Sequence, residues 1–185
     1  MRLDKYLQTK YNLKSRTYAE NLVKTGCVSV DGKIAEKTSL DVDEKNVIEI
    51  KKDDGYASQG AFKLEKAFED FPIDVQGKIC ADIGCSNGGF TDCLLRHGAE
   101  RVVAVDVAEC ALPDNLLNSG KVDFLRANAR ELPHDFPTVD FLCSDLSFIS
   151  LEYVLKEMYR VLKNGGEAIV LIKPQFELDR SALNK

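Results

Sequence analysis

The residues whose types and spacing could do chemistry begin with a glycine-rich stretch at positions 82–90. An apolar run, Ile79-Cys80-Ala81-Asp82-Ile83, opens into Gly84-Cys85-Ser86-Asn87-Gly88-Gly89 and continues as Phe90-Thr91. A short apolar run, then Gly, Ser and Asn, then apolar residues at helical spacing reads as a buried strand, a turn and a helix. Gly88 and Gly89 are expected to let the backbone come close to a ligand, with loop amides and the helix N-terminus facing it. That is the form of a nucleotide-type cofactor site. A second apolar run, Arg101 to Val105, ends in Asp106, 22 residues after Gly84. In dinucleotide and nucleoside folds an acid at this place accepts hydrogen bonds from ribose hydroxyls. Two more strand-like runs end in Asp145 and Lys173.

The elements that must position these groups alternate. Strands are expected at 79–83, 101–106, 122–125, 139–145 and 167–174. Between them, Phe90, Cys93, Leu94 and Leu95 form a helix that stops near Gly98. Leu151, Val154, Leu155, Met158 and Leu162 form another, which Asn164-Gly165-Gly166 ends. Ahead of the glycine loop, Phe62, Leu64, Ala67, Phe68 and Phe71 make the apolar side of a helix with Lys63 near its start; spacing alone reads that lysine as a solvated charge. Alternation of this kind gives a parallel α/β sheet covered on both faces. Its carboxyl edge would carry Asp82, Asp106, Asp145 and Lys173, where such folds bind ligands.

The 185-residue chain is long enough for one good core and a small satellite domain. No apolar run approaches the roughly 18 residues of a membrane span, and the charged N-terminus is not a signal peptide, so a cytoplasmic protein with no membrane partner is expected. The six cysteines, none in CxxC spacing, read as small buried hydrophobes, with no metal site expected. The net charge of −5 is uneven. Residues 1–52 hold 11 Lys and Arg against 8 Asp and Glu, whereas the remainder holds 14 against 22. The basic segment points to a polyanion partner. Its pattern is a helix over 2–9, a second helix from an N-cap at Ser15 to Gly26, a hairpin turned by Asp31-Gly32, and a strand at 47–50. The organisation expected is a domain over 1–52, a linker over 53–57 and a cofactor-binding domain over 58–185.

The segment Arg2-Leu3-Asp4…Leu7, then Ser15-Arg16…Ala19…Leu22-Val23…Gly26-Cys27-Val28-Ser29-Val30-Asp31-Gly32-Lys33, resembles the S-four RNA-binding domain. The resemblance implies RNA-phosphate contacts from Arg2, Lys5, Lys14, Arg16, Lys24 and Lys33, consistent with recognition of RNA by shape and backbone charge. The loop departs from G-x-G-x-x-G and looks instead like the S-adenosylmethionine loop of Rossmann-like methyltransferases. This implies cofactor contacts from Asp82, Gly84, Ser86, Gly88, Gly89, Phe90, Asp106 and Asp145, with Asn128 and Ala129 toward the adenine.

Four further stretches carry a closer resemblance. They are Ser58-Gln59-Gly60-Ala61-Phe62-Lys63-Leu64-Glu65-Lys66-Ala67, Gly88-Gly89-Phe90-Thr91-Asp92-Cys93-Leu94, Asp145-Leu146-Ser147-Phe148-Ile149-Ser150 and Leu171-Ile172-Lys173-Pro174-Gln175-Phe176-Glu177. They resemble the TlyA (hemolysin A) family, in which an S-four domain precedes an FtsJ-like ribosomal RNA 2′-O-methyltransferase. The resemblance implies S-adenosylmethionine as cofactor, ribosomal RNA or a ribosomal subunit as partner, and a Lys-Asp-Lys-Glu tetrad whose first three places fall on Lys63, Asp145 and Lys173. A ribose hydroxyl needs a base, and a lysine serves only with a lowered pKa; Lys173 is the expected base, with Lys63 and Asp145 orienting. The tetrad's Glu has no counterpart, Glu177 included, so a sheet without its last C-terminal strands is expected. Ser58-Gln59-Gly60-Ala61 and Val107-Ala108-Glu109-Cys110 also depart from the family pattern. Because of the C-terminal departure, a non-catalytic RNA- or ribosome-binding protein is the alternative. A base-amino methyltransferase is disfavoured by Ser144-Asp145-Leu146-Ser147, and a membrane-lysing hemolysin by the lack of a basic amphipathic helix.

Overall fold

A computed structural model describes residues 1–11, 13, 15–24, 26–50 and 56–178, apart from the side chains of Asn21 and Lys24. The chain forms two compact units, Met1–Gly55 and Tyr56–Lys185.

The first unit packs α1 (Leu3–Lys10) and α2 (Arg16–Lys24) with an antiparallel sheet of β1 (Val28–Val30), β2 (Lys33–Ile34) and β3 (Ile48–Ile50), in the order β2-β1-β3. The Asp31-Gly32 turn has φ of 53° and 76°, the left-handed pair that a two-residue hairpin of this twist requires. Leu3, Leu7, Ala19, Leu22, Val23 and Val28 are buried. So is Asp4, which takes up the charge of two arginines described below.

The second unit begins with α3 (Ala61–Asp70) and is built on five parallel strands. These are β4 (Ile79–Ile83), β5 (Arg101–Asp106), β6 (Val122–Arg126), β7 (Val139–Ser144) and β8 (Leu162–Val170), ordered β6-β5-β4-β7-β8. The central strands are buried on both faces, and successive residues point to opposite sides. Cys80, Val102, Phe141 and Cys143 face the side covered by α3 and α4 (Gly89–Arg96), together with Leu64, Ala67, Phe90 and Leu94. Ala81, Ile83, Val103, Val105 and Leu142 face the other side, against Val154, Met158 and Val161 of the segment that ends in α6 (Leu155–Val161). The parallel sheet covered on both faces is therefore present. The order reverses around β4, so its carboxyl end is the topological switch point, the place where open parallel sheets bind ligands.

Three local expectations are corrected. Asn164-Gly165-Gly166 does not end a helix, because α6 has already stopped at Val161. Between Val139 and Phe141 of β7, β8 advances from Leu162 to Glu167, so residues 163–166 loop out of the ladder; Gly165 (φ 77°) supplies the left-handed residue the loop needs. The expected helix from Leu151 is split into a 3-10 turn (Leu151–Tyr153) and α6. The last strand stops at Val170, short of Lys173. Two short helices, α5 (Asp114–Leu117) and α7 (Pro174–Glu177), were not anticipated.

Candidate active site

The carboxyl ends of β4, β5 and β7 open into a cavity of about 550 Å³, within the usual range for a small-molecule site. Of the ten positions expected to bind cofactor, nine line it: Asp82, Gly84, Ser86, Gly89, Phe90, Asp106, Asn128, Ala129 and Asp145. Gly88 does not. A Cβ there would lie 2.7 Å from Leu112 Cδ2 and 2.9 Å from Leu116 Cδ1. Its φ of 80° ends the loop and starts α4. Close packing within the chain and a left-handed turn already account for glycine at 88. At Gly89 too, the nearest crowding is internal: a Cβ would run into Ser58 Oγ and lie 2.9 Å from the Ala61 amide nitrogen.

Asp106 holds the loop. Its Oδ2 accepts the Ser86 amide at 2.9 Å and its Oδ1 accepts the Ala108 amide at 2.9 Å. A carboxylate has about four lone-pair sites, so each oxygen keeps capacity for a hydroxyl. Asp82 is almost wholly buried, 1% exposed. Its Oδ2 accepts from Thr91 Oγ1 at 2.7 Å, while its Oδ1 has no partner among the described residues. Burial pushes the Asp82 carboxyl up to about 7, against the Thr91 hydrogen bonds and with help from the charges of Asp106 and Asp145. An orphaned, buried acceptor at the cavity is costly unless a donor arrives.

The three expected catalytic residues meet in the same cavity although they lie on α3, after β7 and after β8. Lys63 Nζ is 2.5 Å from Asp145 Oδ2, and Lys173 Nζ is 2.7 Å from Asp145 Oδ1. Lys173 also donates to Ser147 Oγ at 2.7 Å and approaches the Asp145 carbonyl at 3.4 Å. Lys173 is the more enclosed of the two, its side chain 19% exposed against 50% for Lys63. The Leu171 amide donates to the Ser144 carbonyl at 2.9 Å, which carries the Lys173 segment along the end of β7 beyond the regular strand. Glu177 is employed elsewhere: it accepts from Ser150 Oγ (2.7 Å) and the Leu151 amide (3.0 Å), capping the 3-10 turn.

Several site residues carried no sequence signal of their own. Thr91 is a small polar residue in an otherwise apolar helix start, and Ser147 lies two residues past Asp145. Phe148 has φ 66°, rare for a bulky side chain, and is 91% exposed at the cavity mouth with its ring 5.3 Å from that of Phe176.

In the first unit, Arg2 and Arg16 both turn to Asp4. Arg2 donates through Nε (3.1 Å) and Nη2 (2.9 Å), and Arg16 through Nε (3.0 Å) and Nη2 (2.8 Å). Both guanidiniums remain about half exposed with donors to spare. The arginine hydrogen bonds hold the Asp4 carboxyl well below the usual carboxylate range despite its burial. Lys5 and Lys33 are exposed. Lys14, the Lys24 side chain and the linker residues 53–55 lie outside the described residues.

A set of acceptors of this kind fits S-adenosylmethionine. The buried, unpartnered Asp82 oxygen suits an ammonium, and Asp106 retains acceptor capacity for ribose hydroxyls. The fold is that of a Rossmann-like methyltransferase. Residues 56–185 match the FtsJ-like methyltransferase family, and residues 1–48 match the S4 domain. Hemolysin A of Brachyspira hyodysenteriae is 40% identical over 195 residues, covering all of this chain and 79% of that protein. The 16S/23S rRNA (cytidine-2′-O)-methyltransferase TlyA of Mycobacterium tuberculosis is 38% identical, covering 97% of this chain and 69% of that protein. A solved structure of a hemolysin from Streptococcus thermophilus is 33% identical with a TM-score of 0.68, covering 98% of this chain and 68% of that one. The chain belongs to the hemolysin A/TlyA family of FtsJ-like methyltransferases. No helix among the described residues is long and apolar enough to cross a membrane.

Proposed function

We propose that the chain transfers a methyl group from S-adenosylmethionine to a ribose 2′-hydroxyl of ribosomal RNA. The observation that carries the reading is the convergence of Lys63, Asp145 and Lys173 in the cavity that also holds the unpartnered Asp82 oxygen. S-adenosylmethionine supplies an electrophilic sulfonium methyl. The protein's task is to hold the hydroxyl in line and to take its proton, and positioning accounts for most of the gain. Lys173 Nζ receives that proton. Asp145 fixes both lysine head groups, and Ser147 Oγ fixes the direction of Lys173. Lys63, paired with Asp145 Oδ2, balances the carboxylate while Lys173 acts. The first unit, with the exposed Lys5 and Lys33 and the spare donors of Arg2 and Arg16, supplies phosphate contacts that are salt-sensitive and blind to sequence.

The test is methyl transfer from labelled S-adenosylmethionine to ribosomal subunits taken from cells lacking the protein, with the modified nucleotide mapped by its resistance to alkaline cleavage. The wild-type chain should label ribose at the 2′ position. Lys173→Ala should reduce transfer about 10²- to 10⁴-fold, the usual worth of a positioned base, with cofactor binding retained. Full transfer by Lys173→Ala would overturn the assignment of the base. Cofactor-free RNA binding with no transfer by the wild-type chain would favour a non-catalytic RNA-binding protein.

A further inference from the structure

Away from the cofactor cavity, α3 and α4 bring together three donors of different chemistry: the Glu65 carboxylate, the Cys93 thiol and the His97 imidazole. One ligand atom from each lies within 4.8 Å of the other two, the one such trio among the described residues. Glu65 Oε1 is 3.5 Å from Cys93 Sγ and 3.0 Å from His97 Nε2. A tetrahedral zinc ion with bonds of about 2.0–2.3 Å sets its ligands about 3.3–3.6 Å apart, so two of the three edges already have nearly the required length. Cys93 and His97 are four residues apart at the end of α4 and share one face, as a metal-binding helix pair must.

The surroundings also suit an ion. The Tyr56 hydroxyl donates to Glu65 Oε1, an outer partner of the kind that orients a ligating carboxylate. The His97 ring rests on Phe68 at 4.5 Å between centroids. Cys93 is fully buried, whereas His97 is 37% exposed and leaves a way in from solvent. We propose that Glu65, Cys93 and His97 form a binding site for a divalent cation of the zinc class, with water as the fourth ligand on the exposed side. A thiolate with an imidazole selects zinc over magnesium or calcium. Binding expels the thiol proton. The ion would bridge α3, which carries Lys63, to α4, which follows the glycine loop. It would brace the walls of the methyl-transfer site without entering it.

Cobalt(II) reports such a site through a thiolate charge-transfer band and tetrahedral d–d bands, with no RNA or cofactor present. The full chain carrying Cys110→Ser, which removes the exposed cysteine, is titrated with cobalt and then with zinc. The expected result is a thiolate band that saturates at one equivalent and is displaced by zinc. It should be lost in Cys93→Ser and weakened at least about tenfold in affinity by His97→Ala or Glu65→Gln. Absence of the band in the folded Cys110→Ser chain at millimolar cobalt would overturn the proposal. So would a band that survives Cys93→Ser, or one whose affinity His97→Ala leaves unchanged. If Cys93→Ser does not fold, the partly exposed His97→Ala decides. Either outcome is independent of whether the chain methylates RNA.

Discussion

Replacing Asp82 with asparagine should make the cofactor-free protein more stable at pH 8 and remove a pH dependence expected of the wild type. Asp82 is buried, with one oxygen held by Thr91 and the other without a partner among the described residues. Its carboxyl stands at about 7 in the folded chain against 3.8 for a free side chain. An acid raised in this way is protonated in the native state, and ionised in the unfolded one, between about pH 4 and 7. It costs stability in full above pH 7, and the cost disappears as pH falls through that window. At one pKa unit per 1.36 kcal/mol, the full cost is roughly 4 kcal/mol. Asparagine keeps an acceptor for Thr91 but leaves a buried amide donor unsatisfied, at about 1–3 kcal/mol. The net gain at pH 8 is therefore about 1–3 kcal/mol. The decisive quantity is the change in that gap with pH, since asparagine does not titrate and its own fit cancels. From pH 8 to pH 5.5 the wild type should gain about 2 kcal/mol on the variant, read by denaturant unfolding at both pH values. A gap that stays constant within about 0.5 kcal/mol would refute the reasoning, and with it the idea that Asp82 waits for a cationic partner.

Gly88→Ala should destabilise the second unit by about 2–4 kcal/mol, combining a left-handed backbone cost with overpacking against Leu112 and Leu116; thermal unfolding without cofactor measures it, and a loss confined to cofactor affinity would restore the ligand-approach reading. Asp4→Asn should cost about 2 kcal/mol at pH 7, less than a fully buried pair because both arginines are half in water. Asp4 is depressed when folded, so its contribution is present above about pH 4 and lost as pH falls below it. Unfolding of the wild type and the variant at pH 7 and pH 3 should accordingly show the gap narrowing in acid.

The strands and the glycine loop could be read from the sequence because burial on both faces of a parallel sheet leaves continuous apolar runs, each ending in a polar residue at the same edge. Asp82, Asp106, Asp145 and Lys173 were legible for that reason. Lys63 was not legible from spacing, since a lysine near a helix start is usually solvated; only resemblance singled it out, and only the fold sets it 2.5 Å from Asp145. α5 and α7 have four residues each, too few for a period to register. Asn164-Gly165-Gly166 has the composition of a helix stop, but the same left-handed glycine serves equally well to loop out of a strand. The Glu65, Cys93 and His97 trio was invisible because Glu65 lies 28 residues before Cys93, and only the packing of α3 on α4 joins them.

The glycine loop divides into residues that shape the site and residues that could touch what enters it. Gly88 belongs to the first group, as does Gly89 where it meets the start of α3. Asp106 belongs to both, because its two oxygens hold the Ser86 and Ala108 amides while each keeps a lone pair for a ribose hydroxyl. Loss of cofactor affinity in an Asp106 variant would therefore not separate contact from collapse of the loop. Asp82 is different: one oxygen is committed to Thr91 and the other to no partner among the described residues. Among the described residues Asp82 Oδ1 has neither a hydrogen bond nor an ion pair, and a cationic ligand that supplies the missing donor relieves a cost the folded chain already bears. Affinity gained in this way depends on charge and position rather than on area, and it should discriminate between ligands that carry an ammonium at that point and those that do not.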